Sequence, residues 1–307
     1  MRIALVGAGG VGAGFGAFLA EAGHELVAVA RGRHLEAIRA NGLIVRRPDG
    51  ERRLPVQASD RPEELGAADL VIFAVKLWDT EAAARQLAPM LGSHTPILVL
   101  QNGVDALELL APIVGPERLI AGVAQISAVI EAPGVVAHRS PFARIVAGEP
   151  SAARSERLDD LVATLAQAGI EARASESIAI DLWEKFVFIV ALSGATALFR
   201  VPIGPIRETA RSAAFLRALA EEAIAVARAE GVALPRDHGE RTMAALAGLP
   251  DAMKASMCDD LLAGRRLELP WLAGRVVRSG HAHGIPTPEC GTACNFDPLG
   301  GVIGVQI

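Results

Sequence analysis

Over the first half of the chain, short apolar runs alternate with stretches whose apolar residues recur at helical spacing. The runs Arg2–Val6, Glu25–Ala30, Leu70–Ala74, Pro96–Leu100 and Leu119–Ala124 are four to eight residues long and rich in aliphatic side chains, the pattern of strands buried on both faces. Helices are predicted between them, at Val11–Ala22, Gly32–Asn41 and Thr80–Leu91. Strands alternating with helices imply an α/β domain built on a doubly wound, mostly parallel sheet. From Ser127 to Ala147 the pattern shortens to extended pieces around Pro133-Gly134, as in a hairpin. A helix at Ala152–Gly169 and a short strand at Ile170–Ala174 follow.

Beyond Ser177 the strand signal ends. Helical periodicity covers Ser177–Phe199, Ser212–Glu230, Ala252–Ala263 and Pro270–His283, with Pro202, Gly204, Pro205, Pro235, Gly248 and Pro250 as breakers. The expected organisation is therefore an α/β domain over residues 1–175 and an all-helical domain over 176–307, with no flexible linker, repeat or low-complexity segment.

Composition narrows the class. Hydrophobic residues are 51% and charged residues 21% of 307, enough apolar surface for two buried cores. The longest uncharged apolar stretch, Phe186–Phe199, is shorter than the ~18 residues of a membrane span. The run Ile3–Val6 enters a glycine turn directly, unlike a signal peptide. A net charge of −5 offers no footprint for nucleic acid. Cys258, Cys290 and Cys294 are too few for a disulfide framework and have no zinc-ligand spacing, so free thiols, no metal and a reducing cytoplasm are expected.

One motif carries chemistry outright. Gly7-Ala8-Gly9-Gly10-Val11-Gly12 satisfies GxGxxG, follows a predicted strand and opens a predicted helix. In that setting Gly7 permits the turn, Gly9 lets the backbone approach a pyrophosphate, and Gly12 brings helix and strand together. Backbone N–H groups of Gly10 and Val11 at the helix start would face the phosphates. A glycine-rich turn without a ligand is the bland alternative. Dinucleotide sites selective for NAD place an acid at the end of the second strand to hold the ribose 2′-hydroxyl. This chain has Val29-Ala30-Arg31-Gly32-Arg33 there. Arg31 and Arg33 suit a 2′-phosphate, which points to NADP(H), although two arginines also suit a solvated loop. Lys76 and Gln101-Asn102-Gly103 follow two other strands, where open α/β sheets bind ligands, but equally fit a loop lysine and a turn dipeptide.

Further segments lie in order along nearly the whole chain: Ala74-Val75-Lys76, Gln101-Asn102-Gly103, Trp183-Glu184-Lys185, Ser256-Met257 with Asp260, Gly264-Arg265 with Glu268, and Gly284 to Pro288. With the glycine motif, this series resembles the ketopantoate reductase (2-dehydropantoate 2-reductase) family. The resemblance implies a Rossmann-type domain joined to an all-helical one, an active site in the cleft between them, and NADPH-dependent reduction of a 2-keto acid to a 2-hydroxy acid. Ketopantoate, in pantothenate biosynthesis, is the substrate it implies. It makes Lys185 the catalytic lysine, Glu268 its partner carboxylate, and Ser256 a ligand of the substrate carboxylate. Lys76 and Asn102 would line the nicotinamide and substrate side.

These roles are chemically reasonable. Hydride addition to a ketone builds negative charge on oxygen, which needs a proton donor within reach. A lysine on an apolar helix has its pKa drawn toward neutrality. Taken alone, Lys185 could equally snorkel to solvent, and Glu268 could serve a helix start before Pro270. Two departures bear on the substrate and the tail. The family's asparagines one and two turns past the lysine are Ile189 and Ser193 here, still expected to face the substrate. Glu289–Ile307 is glycine-rich, nearly uncharged and without helical period, where the family has a final helix. Reduction of another small keto acid, or a non-catalytic NADPH sensor, are the competing readings. The expected partners are a keto acid, with neither nucleic acid nor membrane, and a homodimer is left open.

Overall fold

The computed structural model describes residues 1–151 and 154–295. The chain divides into two compact units, Met1–Ile178 and Ala179–Ile307.

The first unit runs β1 (Arg2–Val6), α1 (Gly10–Glu21), β2 (Glu25–Val29), α2 (Gly32–Asn41), β3 (Leu43–Arg47), β4 (Gly50–Leu54), β5 (Gln57–Ser59), β6 (Leu70–Phe73), α3 (Thr80–Ala84), β7 (Ile97–Val99), α4 (Ala106–Val114), β8 (Leu119–Gln125), β9 (Ala128–Ala132), β10 (Val135–His138), β11 (Arg144–Gly148), α5 (Glu156–Gln167) and β12 (Glu171–Ala174). Eight strands form one sheet in the order β12-β11-β8-β7-β6-β1-β2-β5. Every pairing in it is parallel except β11 against β8.

Alternation along the central strands explains why the sheet is covered on both sides. Ile3 and Leu5 of β1, with Leu70 and Ile72 of β6, belong to one core, while Ala4, Val6, Val71 and Phe73 belong to another. Successive side chains on a strand point to opposite faces, so an unbroken apolar run requires a buried layer on each. The doubly wound, mostly parallel sheet expected from the sequence is present.

A second sheet, in the order β4-β3-β10-β9, was only partly foreseen. Its β9–β10 hairpin is the extended pair expected around Pro133-Gly134. The β3–β4 hairpin is not among the predicted strands, because arginines at 46, 47, 52 and 53 break any apolar run. Leu43 and Val45 nevertheless alternate inward, and outward-facing Arg46 pairs with Glu51 opposite it and with Glu131 of β9. This sheet packs on α1, which also contacts β1 and β2. A helix between two sheets must be slim. A Cβ on Gly14 would meet Ile126 at 2.8 Å, and one on Gly16 would meet Leu5 at 2.7 Å.

Two helices predicted in the first unit are shorter than expected. The Thr80–Leu91 helix ends at Ala84 and continues only as a 3₁₀ turn at Ala88–Met90. The Ala152–Gly169 helix starts at Glu156, capped by Ser155 accepting from the Leu158 N–H; residues 152–153 lie outside the described residues.

The second unit contains α6 (Ile178–Phe199), α7 (Ile203–Glu208), α8 (Ala210–Ala229), α9 (His238–Ala247), α10 (Ser256–Leu262), α11 (Ala273–His283) and α12 (Pro288–Cys294), and no strand among the described residues. By length and composition α6 could cross a bilayer, but 61% of its most apolar window is buried, as in a core helix. α7 forms across Gly204-Pro205, read from sequence as breakers; Pro205 falls in its first turn, where no intrahelical N–H is needed. α12 corrects the reading of the tail. Residues 288–294 are helical, with Pro288 at the first position, and the Glu222 carboxylate of α8 accepts from the N–H groups of Glu289 and Cys290, each at 2.8 Å. That cap comes from 67 and 68 residues away in sequence, so no local pattern could reveal it. Residues 296–307 of the expected aperiodic tail lie outside the described residues.

Candidate active site

The candidate residues fall into a group in each unit. In the first, the glycine turn joins β1 to α1. Gly7 has φ of +99°, and a Cβ there would lie 2.7 Å from the backbone of Ala74 and Val75. A Cβ on Gly12 would lie 2.2 Å from the Gly7 carbonyl oxygen, so any side chain would force α1 off the turn. Gly9 caps the helix with extended backbone, and a Cβ there would meet only Ile130 Cδ1, at 3.9 Å. The backbone at Gly9 is therefore open to close approach, and no acid lies in the first turn of α1. These features fit a dinucleotide pyrophosphate.

His34 was not singled out in the sequence, yet it braces this turn. One ring nitrogen lies 2.8 Å from the Ala8 carbonyl, and the other accepts from the Gly134 N–H at 3.0 Å. Accepting at Nδ1 fixes the tautomer, so Nε2–H donates to Ala8.

Arg31 caps α2 beyond the end of β2, with its guanidinium exposed and paired to the carboxylate of Asp79. Arg33, the second residue of α2, is exposed. Lys76 leaves β6 in extended conformation just before a 3₁₀ turn at Leu77–Asp79, its ammonium 5.7 Å from the centre of the Trp78 ring. Asn102 follows β7 and is half-buried. The neighbouring Gln101, only 7% exposed, ties the two loops together. Its amide donates to the Val75 carbonyl at 2.9 Å and to Thr80 Oγ1 at 2.8 Å, and that hydroxyl donates to the Leu77 carbonyl at 2.8 Å. Sequence reading quoted Gln101 in a motif without giving it this work.

In the second unit Lys185 lies on α6 between buried Trp183 and Phe186, whose rings meet edge to face at 5.1 Å. Glu184 on the same turn pairs with Arg241 at 3.2 Å and lies 3.5 Å from His238 on α9. Part of the Lys185 side chain reaches the surface, but protein surrounds its ammonium closely enough for desolvation to dominate. Burial lowers its pKa from 10.5 to about 8, and the negative charge of Glu268 opposes the fall. Glu268 is 6% exposed and precedes the 3₁₀ turn Leu269–Trp271, whose Trp271 N–H donates to its backbone carbonyl at 3.0 Å. Lys185 and Glu268, 83 residues apart, are thus brought into electrostatic contact.

Ile189, one turn past Lys185, is half-buried, and Ser193 is 2% exposed. Ser256 opens α10 and is exposed. Its helix is held against α6 by Thr196, whose Oγ1 accepts from the Ala255 N–H at 3.5 Å and whose carbonyl accepts from Cys258 Sγ at 3.2 Å. Ser256 is therefore anchored about one turn beyond Ser193, toward the far end of α6 from Lys185. All three cysteines are free thiols. Among the described residues no group of three or more His, Cys, Asp or Glu side chains could hold a metal ion.

Comparison with known proteins places this geometry. The family profile described as "Ketopantoate reductase PanE/ApbA" matches residues 3–152, and its C-terminal counterpart matches residues 177–296. The chain belongs to the ketopantoate reductase family. Ketopantoate reductases are pyridine-nucleotide-dependent oxidoreductases. A protein of Mesorhizobium japonicum named 2-dehydropantoate 2-reductase is 34% identical over 94% of both chains. A solved 2-dehydropantoate 2-reductase from Geobacter metallireducens is 32% identical, with a TM-score of 0.89 over 96% of this chain and 98% of that one. A solved ketopantoate reductase from Ralstonia eutropha is 33% identical, with a TM-score of 0.88 over 96% of both.

Proposed function

We propose that this protein reduces a 2-keto acid to the corresponding 2-hydroxy acid with NADPH, and that 2-dehydropantoate is its substrate. The observation that carries this reading is Lys185, an ammonium whose pKa is drawn to about 8 by burial and supported by Glu268. A lysine so poised is mostly charged at neutral pH and releases its proton readily, as a general acid must. The dinucleotide, when bound, supplies a hydride to the keto carbon. Lys185 gives its proton to the keto oxygen as charge develops there, and Glu268 keeps Lys185 charged until then. Ser256 holds the substrate carboxylate, and Lys76 and Asn102 line the nicotinamide side. Gly7, Gly9, Gly10, Val11 and Gly12 receive the pyrophosphate. Arg31, with Arg33, receives the 2′-phosphate, which favours NADPH over NADH. Three free thiols accord with the cytoplasm.

Substrate choice within the class rests on relatives named for 2-dehydropantoate and on Ser256. Ile189 cannot hydrogen-bond a substrate hydroxyl, which favours a second reading in which apolar branched 2-keto acids are also reduced. The test is NADPH oxidation against a panel of 2-keto acids, 2-dehydropantoate included. Turnover with at least one of them is expected; turnover with none would overturn the assignment in favour of an NADPH-binding protein without this activity.

A further inference from the structure

The sequence of the second strand's end contains no carboxylate, but the fold brings one there. Asp79 belongs to the 3₁₀ turn after β6 and pairs with Arg31 after β2. Because β1 lies between β6 and β2 in the sheet, the pair bridges the carboxyl end of β1, beside the glycine turn. We propose that Asp79 is a specificity-determining residue that limits the preference for a 2′-phosphorylated dinucleotide by competing with that phosphate for Arg31. The proposal rests on the reading of Arg31 as the phosphate's ligand.

The two partners are unequally exposed. Arg31 is 72% exposed and free to swing, whereas Asp79 is 20% exposed and fixed in its turn, which the Thr80 and Gln101 hydrogen bonds brace. An arriving 2′-phosphate has two options. It can draw Arg31 away and leave a partly enclosed carboxylate without its partner, or it can share the guanidinium and lie near a like charge. Both weaken NADPH binding. NADH carries a 2′-hydroxyl, asks neither of the pair, and can bind with Arg31 and Asp79 still joined.

Asp79→Asn tests this, because the amide oxygen can still accept from Arg31 while the charge is gone. Binding of NADPH and of NADH is measured directly by calorimetric titration of the full chain at low and at high salt. Asp79→Asn is expected to tighten NADPH about three- to tenfold at low salt, with NADH changed less than twofold and the gain shrinking at high salt. An NADPH affinity unchanged within twofold, or weakened, overturns the proposal; weakening would mean that Asp79 positions Arg31 for the phosphate. Arg31→Ala separates the two ideas. If it lowers NADPH affinity tenfold or more while Asp79→Asn gives no gain, only the competition is wrong. If it leaves NADPH affinity unchanged, the role of Arg31 fails and the competition fails with it. Asp79 is half-buried and lies outside the cores, and unfolding temperatures of the ligand-free variants confirm that each still folds.

Discussion

If Lys185 is the proton donor, the pH dependence of turnover reports its charge. A lysine is charged below its pKa, so kcat should be flat on the acid side and fall as pH rises through about 8. Relative to 10.5 in water, this corresponds to roughly 3 kcal/mol of bias toward the neutral form. The same bias acts on stability: the unfolded chain binds the proton more tightly, so this group's penalty on folding is fullest below pH 8 and fades as pH rises toward 10.5. Glu268→Gln removes the charge that props the pKa up while keeping nearly the same shape. An opposite charge close to a buried group is worth at least about one unit, so the descending limb should move from near pH 8 to pH 7 or lower. With kcat proportional to the charged fraction, a one-unit move lowers turnover about twofold at pH 7 and nearly tenfold at pH 9. The assay is kcat for NADPH oxidation at saturating substrate from pH 5.5 to 10. A limb that stays at its original pH in Glu268→Gln, or moves upward, would refute the coupling; no descending limb in the unmodified protein would remove Lys185 as the acid.

Other outcomes follow from the same geometry. Lys185→Ala should lower kcat by roughly 10²–10⁴-fold while direct titration shows NADPH affinity unchanged within about threefold, because the proposed phosphate ligands all belong to the first unit. Ile189→Asn should raise the kcat/KM ratio of 2-dehydropantoate over its analogue bearing methyl in place of the hydroxyl by about 1–2 kcal/mol, or roughly 5- to 30-fold; a ratio already above a thousand in the unmodified protein would show that other residues read the hydroxyl. Gln101→Leu leaves the half-buried Val75 carbonyl and the buried Thr80 hydroxyl without their donor, so a stability loss of about 1–3 kcal/mol in urea unfolding and weaker NADPH binding are expected; unchanged values for both would mean that the loops hold their shape without it.

What the sequence made legible is what local spacing encodes. The glycine motif, the strand runs and the periodic helices each depend on residues within one or two turns, and β1, α1, Arg31 and α6 lie close to where that spacing predicts. Two of the misreadings share one cause. Arg46 and Arg52 hid the β3–β4 hairpin because their charges are answered by Glu51, Glu131 and Glu21, two of them far along the chain. The glycine-rich, nearly uncharged run from Glu289 hid α12, because its cap is supplied by Glu222. The site shows the same division. Lys185 and Glu268 were named through family resemblance, since nothing near either residue in sequence discloses the other, and only folding lets the carboxylate act on the ammonium. Asp79 is the sharpest instance. A rule that looks for an acid at the end of the second strand finds arginine and infers a phosphate site, yet that rule concerns charge at a place in space. The fold fills the place from β6 as well as from β2, so the proposed competition makes cofactor preference a matter of the pair rather than of Arg31 alone.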